Sequence, residues 1–327
     1  MHMRTVDRIG RRLSLRDLNI LMVVAESRSM SKAADRLAVS QPVVSKAISS
    51  MEHALGVALL DRSAHGVELT PYGKALLARA NAVFDEIQLG LREIDFLKDP
   101  TAGHIRVGGG PPTVAGIVPA IARQLVHDHP RISIEVVEGA LEELHAALRN
   151  REVDLVIGRS PLSIVGADDL HAEVLFNEGL LVVAGARSKW ARRSKLKLAE
   201  LLDEPWVMPP PNSAAAQLIA ELFDAAGVRT PRPTITAVSM AMNIHLVISG
   251  PFLALLPAST VLLSAKYQPL KALRIALPAL KRPVTIATLK NRTLNPVAQL
   301  FIERARTFTR LMFRAGDSAK ALPASNT

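Results

Sequence analysis

The chain runs to 327 residues, with 40 Lys and Arg against 30 Asp and Glu for a formal net charge of +10, and it contains no cysteine. The absent thiols exclude a disulfide scaffold, a cysteine-ligated zinc finger and a thiol nucleophile together, and they suit a reducing compartment. The length fits one small and one larger domain, and the basic balance suits a polyanionic partner without naming a fold.

The opening residues, MHMRTVDRIGRR, lack the apolar run of a secretory signal, which points to a cytoplasmic protein. Arg4, Arg8, Arg11, Arg12 and Arg16 cluster there as an arm suited to phosphates. From Ser29 to Leu55 two short helical patterns meet across a tight break. The first carries Ala33, Ala34 and Leu37 at helical spacing, with Ser31 placed to cap it and Ala38-Val39 to end it. In the second, Ser40 is the expected N-cap and Gln41 and Pro42 fill the first turn. Val44, Ala47, Ile48, Met51 and Leu55 form its apolar stripe, and Gly56 stops it.

Gln41, Ser45, Lys46 and Ser49 fall off that stripe and are predicted to face outward. A glutamine amide can pair with adenine at both its groups, a lysine suits guanine or phosphate, and a serine hydroxyl donates or accepts. Any one of them alone reads as an ordinary solvated helix face. Two short capped helices in tandem favour insertion into a DNA groove.

Thr70-Pro71 repeats the cap-then-proline signal and opens a long helix that meets no breaker before Asp99-Pro100. Gly73, Leu76, Ala80, Val83, Ile87, Gly90, Ile94 and Leu97 recur in steps of three and four, the spacing of a coiled-coil seam. Either the helix packs on its own domain or it pairs with a second copy. A helix joining two modules favours the pair, with Leu76, Ala80, Val83, Ile87 and Ile94 as the seam.

Beyond Gly103 strands alternate with helices. Strands are predicted at His104–Gly108, Ile132–Val137 and Val153–Ile157, with helices at Val114–His127 and Leu141–Leu148 between them, a βαβαβ unit. Strands at Leu180–Ala184, Trp206–Met208, Thr234–Val238 and Phe252–Leu256, with a helix at Ala214–Ala226, form a second α/β lobe. Strands at Leu273–Leu277 and Val284–Leu289 and a basic amphipathic helix at Pro296–Phe313 return to the first. Two crossovers, near Arg159–Gly166 and Leu263–Leu273, then leave a cleft between the lobes. The apolar stretch Leu246–Leu263 is interrupted by Pro251 and Pro257 and reads as a buried strand with flanking turns, not a membrane span.

The cleft is the natural small-molecule site. On one side Gly109, Gly110, Pro111, Pro112 and Thr113 join a strand to a helix N-terminus, where free N–H groups would favour an anion and Thr113 would add a hydroxyl; the plain alternative is a connecting turn. Ser213, Ser239 and Met240 face it from the second lobe, and Asn212 reads as a turn residue. No catalytic pattern stands out. Gly108-Gly-Gly-Pro-Pro-Thr lacks the ending of a nucleotide-binding loop. His127-Asp128-His129 reads as a solvated helix end, and the pairs Glu142-Glu143 and Asp168-Asp169 as surface charge. The expectation is neither an enzyme nor a metal protein. The basic cluster Lys189, Arg192, Arg193, Lys195 and Lys197 reads as a solvated face.

Leu15-Arg-Asp-Leu, the run from Ser31 to Ile48, Met51-Glu-His-Ala-Leu-Gly-Val and Leu69-Thr-Pro-Tyr-Gly resemble, without a gap, the N-terminal domain of LysR-type transcriptional regulators. Gly103-His-Ile-Arg-Val-Gly, Val118-Pro, His129-Pro, Glu138-Gly and Val153–Gly158 resemble that family's effector domain more loosely. The resemblance implies a multidomain fold: a helix-rich winged helix-turn-helix, a long linker helix, and an α/β, two-lobed domain like a periplasmic binding protein. It implies a basic extension over 1–14, a DNA-binding domain over 15–70, a dimerisation helix over 71–98, an effector domain over 104–313 and a disordered tail over 314–327. Lobe I of that domain would hold 104–160 and 270–313, and lobe II 166–263.

The implied helix-turn-helix spans Met30 to Ser49. Ser31, Ser40, Gln41, Pro42, Ser45, Lys46 and Ser49 are its implied DNA contacts, with Arg62 and His65 on a wing from Leu60 to Leu69. Two residues depart from the family pattern, Lys46 and His65, each standing where arginine is common. The partners implied are double-stranded DNA with an inverted repeat, a small-molecule effector, RNA polymerase, and one or three further copies of the chain, with no membrane and no resident cofactor. Relatives with carboxylate effectors often carry Ser or Thr where this chain has Pro112-Thr113 and Ala140, so a carboxylate is not indicated. The competing reading is a cytosolic α/β transferase or small-molecule-binding protein whose N-terminal helices serve another interaction.

Overall fold

A computed structural model describes residues 13–63, 66–159, 169–264 and 268–320, and divides the chain into two units that part at Leu91 and Arg92. In the first unit, α1 (Leu15–Ser27) begins with a reciprocal cap: Ser14 Oγ accepts the Asp17 N–H at 3.2 Å and the Asp17 carboxylate accepts the Ser14 N–H at 3.0 Å. Leu13 packs on the core and Ser14 caps the helix, so the folded domain starts before residue 15. Residues 1–12, which hold four of the five arginines of the basic arm, lie outside the described residues.

Helix α2 (Met30–Arg36) is capped by Ser29, whose Oγ accepts the Lys32 N–H at 3.4 Å. The expected cap, Ser31, instead sits exposed inside the first turn, because the helix starts two residues earlier than its alanine spacing suggests. Ala38 takes the left-handed φ of 52° that turns the chain. In α3 (Gln41–Leu55) Ser40 holds the N-cap position without a side-chain bond. Pro42 removes one N–H such a cap would take, and the Val43 N–H goes to the Ser40 carbonyl at 3.0 Å. Gly56, at φ 71°, ends the helix as expected. Ile20, Leu21, Val24, Ala33, Val44, Ile48 and Met51 from the three helices share one core with Leu59 and Leu60.

Strands β1 (Leu60–Ser63) and β2 (Gly66–Leu69) form an antiparallel hairpin from Leu60↔Leu69 to Ser63↔Gly66, the expected wing. Glu52 of α3 fastens its base, accepting the N–H groups of Leu59 at 2.8 Å and Leu60 at 3.2 Å. Helix α4 (Pro71–Lys98) starts at Thr70, whose Oγ1 accepts the Gly73 N–H at 3.0 Å and donates to the Ala58 carbonyl at 2.7 Å.

The second unit opens with β3 (Ala102–Gly109), α5 (Pro111–Val114), α6 (Ile117–Asp128), β4 (Arg131–Glu138), α7 (Leu141–Arg149) and β5 (Leu155–Gly158). Strand β3 runs parallel to both β4 and β5, which makes the predicted βαβαβ unit. Next come β6 (Leu170–Glu178), β7 (Leu180–Gly185), β8 (Trp206–Met208), α8 (Ala214–Ala225), β9 (Pro233–Thr236), α9 (Met240–Ser249), β10 (Ala254–Pro257), α10 (Ala258–Ser264) and β11 (Leu270–Ala272). Strand β12 (Arg282–Leu289) and α11 (Pro296–Lys320) close the unit.

Lobe I is the five-stranded sheet β4-β3-β5-β12-β6, and lobe II holds the three-stranded sheet β10-β7-β11 and the parallel pair β8-β9. The expected lobe boundaries are corrected at both crossings. Strand β6, unpredicted because its apolar and polar residues alternate weakly, pairs with β12 in lobe I, so the chain crosses at Gly179 and not near 159–166. Strand β11 pairs with β7 in lobe II, so the return falls between Ala272 and Arg282. The predicted strand at Leu273–Leu277 is absent: Leu273, Ile275 and Leu277 pack into the lobe II core as an irregular segment. Helix α11 continues to Lys320, through the first part of the tail expected to be disordered; residues 321–327 lie outside the described residues.

Each lobe has its own core. Ile105, Val107, Ile121, Ile157, Ile286 and Phe301 fill lobe I against α6 and α11. In lobe II Trp206 is fully buried, edge-on to Phe223 with ring centroids 5.8 Å apart, and its indole N–H donates to the Leu201 carbonyl at 2.7 Å. No helix among the described residues is long and apolar enough to cross a membrane; the Leu246–Leu263 stretch is divided among α9, β10 and α10.

Candidate DNA-reading face and interlobe cavity

Helix α3 separates its chemistry by face. Val44, Ile48 and Met51 are buried, whereas Gln41, Pro42, Val43, Lys46, Ser49, Ser50 and His53 are exposed and Ser45 is half-buried. A helix returns to the same face every three or four residues, so Pro42, Lys46, Ser49 and His53 form one outward strip with Gln41 at its N-terminal end. Val43, Ser50 and His53, which the sequence reading does not single out, are exposed on the same helix. Val43 keeps 38 % exposure beside this strip, an apolar group suited to a thymine methyl. Ser31 and Ser40 are exposed at the starts of α2 and α3. Arg62 lies on β1 opposite Val67, and His65 falls outside the described residues.

The seam expected along α4 divides in two. Gly73, Leu76 and Ala80 face their own unit: Leu76 packs on the helix-turn-helix core, Ala80 is fully buried, and a Cβ on Gly73 would lie 2.1 Å from the Leu59 carbonyl oxygen. These three small or apolar positions serve the domain and not a second copy, because the start of the helix is pinned under the wing. Farther along, Val83, Ile87, Leu91, Ile94 and Leu97 are exposed by 40 to 74 %. That stripe, with Leu91 added to the expected residues, is uncovered apolar surface.

In the second unit Pro111 and Pro112 meet lobe II at a cavity of about 230 Å³, lined also by Arg159, Pro209, Pro210, Ser213, Leu218, Ile219, Met240, Asn243 and Leu255. A neighbouring cavity of about 470 Å³ is lined by Pro111, Val114, Glu138, Ser239, Met240, His245 and Gln268. The structure thus brings Pro111, Pro112, Ser213, Ser239 and Met240 to the cleft. Gly109, Gly110 and Thr113 line neither cavity. Gly109 ends β3, where a Cβ would meet Val114 Cγ2 at 2.6 Å.

The expected anion cradle at this turn is also corrected. Pro111 and Pro112 have no N–H, the Thr113 and Val114 N–H groups both reach the Gly110 carbonyl, and the Gly110 N–H reaches Ile157 O at 3.3 Å. Thr113 is buried, with its Oγ1 2.8 Å from the Gly110 carbonyl and 3.0 Å from that of Ile157. Ser213 and Ser239 act as caps: their hydroxyls accept the N–H groups of Ala216 at 3.2 Å and Met242 at 3.3 Å.

The polar groups that do mark the smaller cavity escaped the sequence. Arg159 donates through Nη2 to Glu178 Oε1 at 3.1 Å, and Glu178, only 4 % exposed, accepts the Ser259 N–H through Oε2 at 2.9 Å. Arg159 Nε and Asn243 Oδ1 are buried with no hydrogen-bond partner among the described residues. The available signal was faint: an arginine directly after the apolar strand β5, and an asparagine in the apolar helix α9.

Other charges serve the fold. Lys189 pairs with Glu204 at 2.9 Å and Arg193 with Glu200 at 2.7 Å, both cations lying near the Trp190 ring, so the downstream basic cluster is partly internal pairing and not only a solvated face. Asp169 is held by Arg149, whose hydrogen bond pulls its carboxyl below the ordinary range. No metal-ligating cluster occurs among the described residues.

A three-helix unit with a wing and an outward polar recognition face, on the same chain as a two-lobed α/β domain with an interlobe cavity, defines a DNA-binding regulator of the bacterial helix-turn-helix kind. Residues 15–74 match the bacterial regulatory helix-turn-helix protein, lysR family, and residues 98–310 match the LysR substrate binding domain. The chain belongs to the LysR family of transcriptional regulators. It is 28 % identical over 300 residues to the HTH-type transcriptional regulator GbpR of Azospirillum brasilense, covering 90 % of this chain and 86 % of that one. It is also 28 % identical to the transcriptional dual regulator GltC of Bacillus subtilis, covering 89 % and 96 %. Among solved structures, a full-length OxyR variant from Pseudomonas aeruginosa is 25 % identical and aligns with a TM-score of 0.61, covering 91 % of this chain and 95 % of that one. CbnR in complex with its target DNA shares the fold at 22 % identity and a TM-score of 0.52, covering 91 % and 100 %.

Proposed function

We propose that this regulator binds an inverted-repeat duplex as a homodimer or homotetramer in the cytoplasm, and that a small molecule in the interlobe cavity changes how it does so. No resident cofactor or metal is required in this reading. The observation that carries it is the exposed apolar stripe Val83, Ile87, Leu91, Ile94 and Leu97 on the helix that follows the wing. An uncovered stripe of that length calls for a partner, and a second copy related by two-fold symmetry supplies an identical one. Symmetry then sets two α3 faces toward half-sites about one helical turn apart. Contact with RNA polymerase belongs to the same reading.

Retardation of the duplex upstream of this gene tests it, against a scrambled duplex and across a salt series. The expected result is a preference for the upstream duplex, with affinity falling steeply as salt rises. Val83→Asp should halve the sedimenting mass or quarter it, and abolish the preference. An unchanged mass, or binding indifferent to salt, overturns the reading.

A further inference from the structure

We propose that the smaller interlobe cavity takes an uncharged, largely apolar molecule that offers both a hydrogen-bond acceptor and a donor, and that it discriminates against a carboxylate. The inference rests on the reading of this cavity as an effector site and names the class of ligand. It stands first on charge. Arg159 is the one charged residue among the described residues lining the cavity, and Glu178 already neutralises it at 3.1 Å. A ligand carboxylate would add a second buried anion beside that pair with no further cation among the described lining residues to meet it, a costly arrangement away from water.

The second ground is the pair of unsatisfied atoms. Arg159 Nε, an N–H that needs an acceptor, and Asn243 Oδ1, a lone pair that needs a donor in a residue only 9 % exposed, belong to cavity-lining residues and have no partner among the described residues. Neither is reached by solvent in this conformation, so a ligand meets them only as the lining shifts around it. A carboxylate answers the first and repels the second, whereas an amide or a hydroxyl answers both. Apart from Ser213, whose hydroxyl donates to the Pro210 carbonyl and accepts the Ala216 N–H, the rest of the described wall is apolar, with Pro111, Pro112, Pro209, Leu218 and Leu255 among it, which suits an apolar body; the prolines bring no N–H. Arg159 follows β5 of lobe I and Asn243 lies on α9 of lobe II, so one such ligand would draw a group from each lobe and favour the closed cleft.

Benzamide, benzoate and toluene, nearly equal in shape, separate the alternatives on the full-length protein at neutral pH by thermal shift and calorimetric titration. Benzamide is expected to bind in the millimolar range and to raise the melting temperature most. Asn243→Leu should weaken benzamide by at least about tenfold while leaving the unliganded melting temperature equal or higher, because the unpaired carbonyl is gone. A merely structural asparagine would do the reverse, losing stability and keeping the ligand. Glu178→Gln frees the Arg159 charge and should shift the preference toward benzoate. Benzoate binding the wild type as well as benzamide does, or no benzamide response that Asn243→Leu reduces, overturns the proposal. Salt-sensitive DNA retardation by the same preparation reports separately on the regulator reading: a benzoate preference leaves it standing, and its own failure leaves the ligand result intact.

Discussion

On α3 the outward residues Gln41, Pro42, Lys46, Ser49 and His53 lie within a single helix and are exposed to solvent, whereas the cavity gathers Pro111, Arg159, Ser213, Met240 and Asn243 from four separate segments and buries them in part or in full. The first surface is local and wet, the second is assembled by topology and nearly dry. Water satisfies the polar groups of the first until DNA replaces it, so those groups cost the fold little. In the second, Arg159 Nε and Asn243 Oδ1 go unpaired among the described residues, and a buried unpaired group destabilises by about 1–3 kcal/mol. The outward face of α3 can therefore be altered at little cost to stability, while the cavity-lining residues hold unpaired polar groups at a cost to the fold.

The largest expected effect sharpens this contrast by striking the scaffold of the DNA face and not the face itself. A Cβ at Gly73 would meet the Leu59 carbonyl at 2.1 Å and Leu69 Cδ2 at 2.9 Å, and the backbone oxygen cannot move aside cheaply. Gly73→Ala should destabilise the N-terminal unit by about 3 kcal/mol and abolish DNA retardation. Calorimetry of the full chain should show the loss in one transition while the transition of the two-lobed unit holds. Equal movement of both would break the separation drawn between the regions.

Within the face, Gln41→Ala and Lys46→Ala divide base reading from phosphate reading. Loss of a bidentate base contact costs about 1–3 kcal/mol on the specific duplex and little on a scrambled one, roughly a ten- to hundred-fold drop in preference. Loss of Lys46 should weaken both duplexes alike and lower the salt slope by about 1. Equal losses on both duplexes for Gln41→Ala would show that its amide reads no base.

The same contrast explains what the sequence disclosed. The recognition helix was legible because its apolar stripe, proline and terminal glycine are neighbours along the chain, and the βαβαβ order because each strand is a compact apolar run. The cap of α2 was misplaced from Ser29 to Ser31, since two serines compete and only the turn at Arg28, with φ 51°, decides between them. Strand β6 was missed because an exposed Val174 and a buried Glu178 break its alternation, and its register against β12 shifts at Val284/Thr285. Arg159 and Asn243 stayed hidden because their meaning arises only when β5, β6 and α9 converge. The glycine turn misled in the opposite way: its pattern resembled an anion cradle, yet Pro111 and Pro112 strip the donors such a cradle needs.

The smallest effect probes a buried titratable group in the two-lobed unit. His145 on α7 is 5 % exposed, and its Nε2 has no hydrogen-bond partner among the described residues. Burial first, and the Arg149 cation second, hold its pKa below the ordinary value of 6.5, against the opposing pull of Glu142 and Asp169. The unfolded chain therefore takes up a proton near the ordinary value while the folded chain resists it. Stability from this group is complete above that value and declines as pH falls below it, until the folded imidazole is itself protonated. Melting of the two-lobed unit between about pH 7 and pH 5 should show this decline, and His145→Leu should flatten part of it. A slope identical in the variant would mean that His145 gains solvent or a partner when it charges, and that the dryness of this unit does not extend to α7.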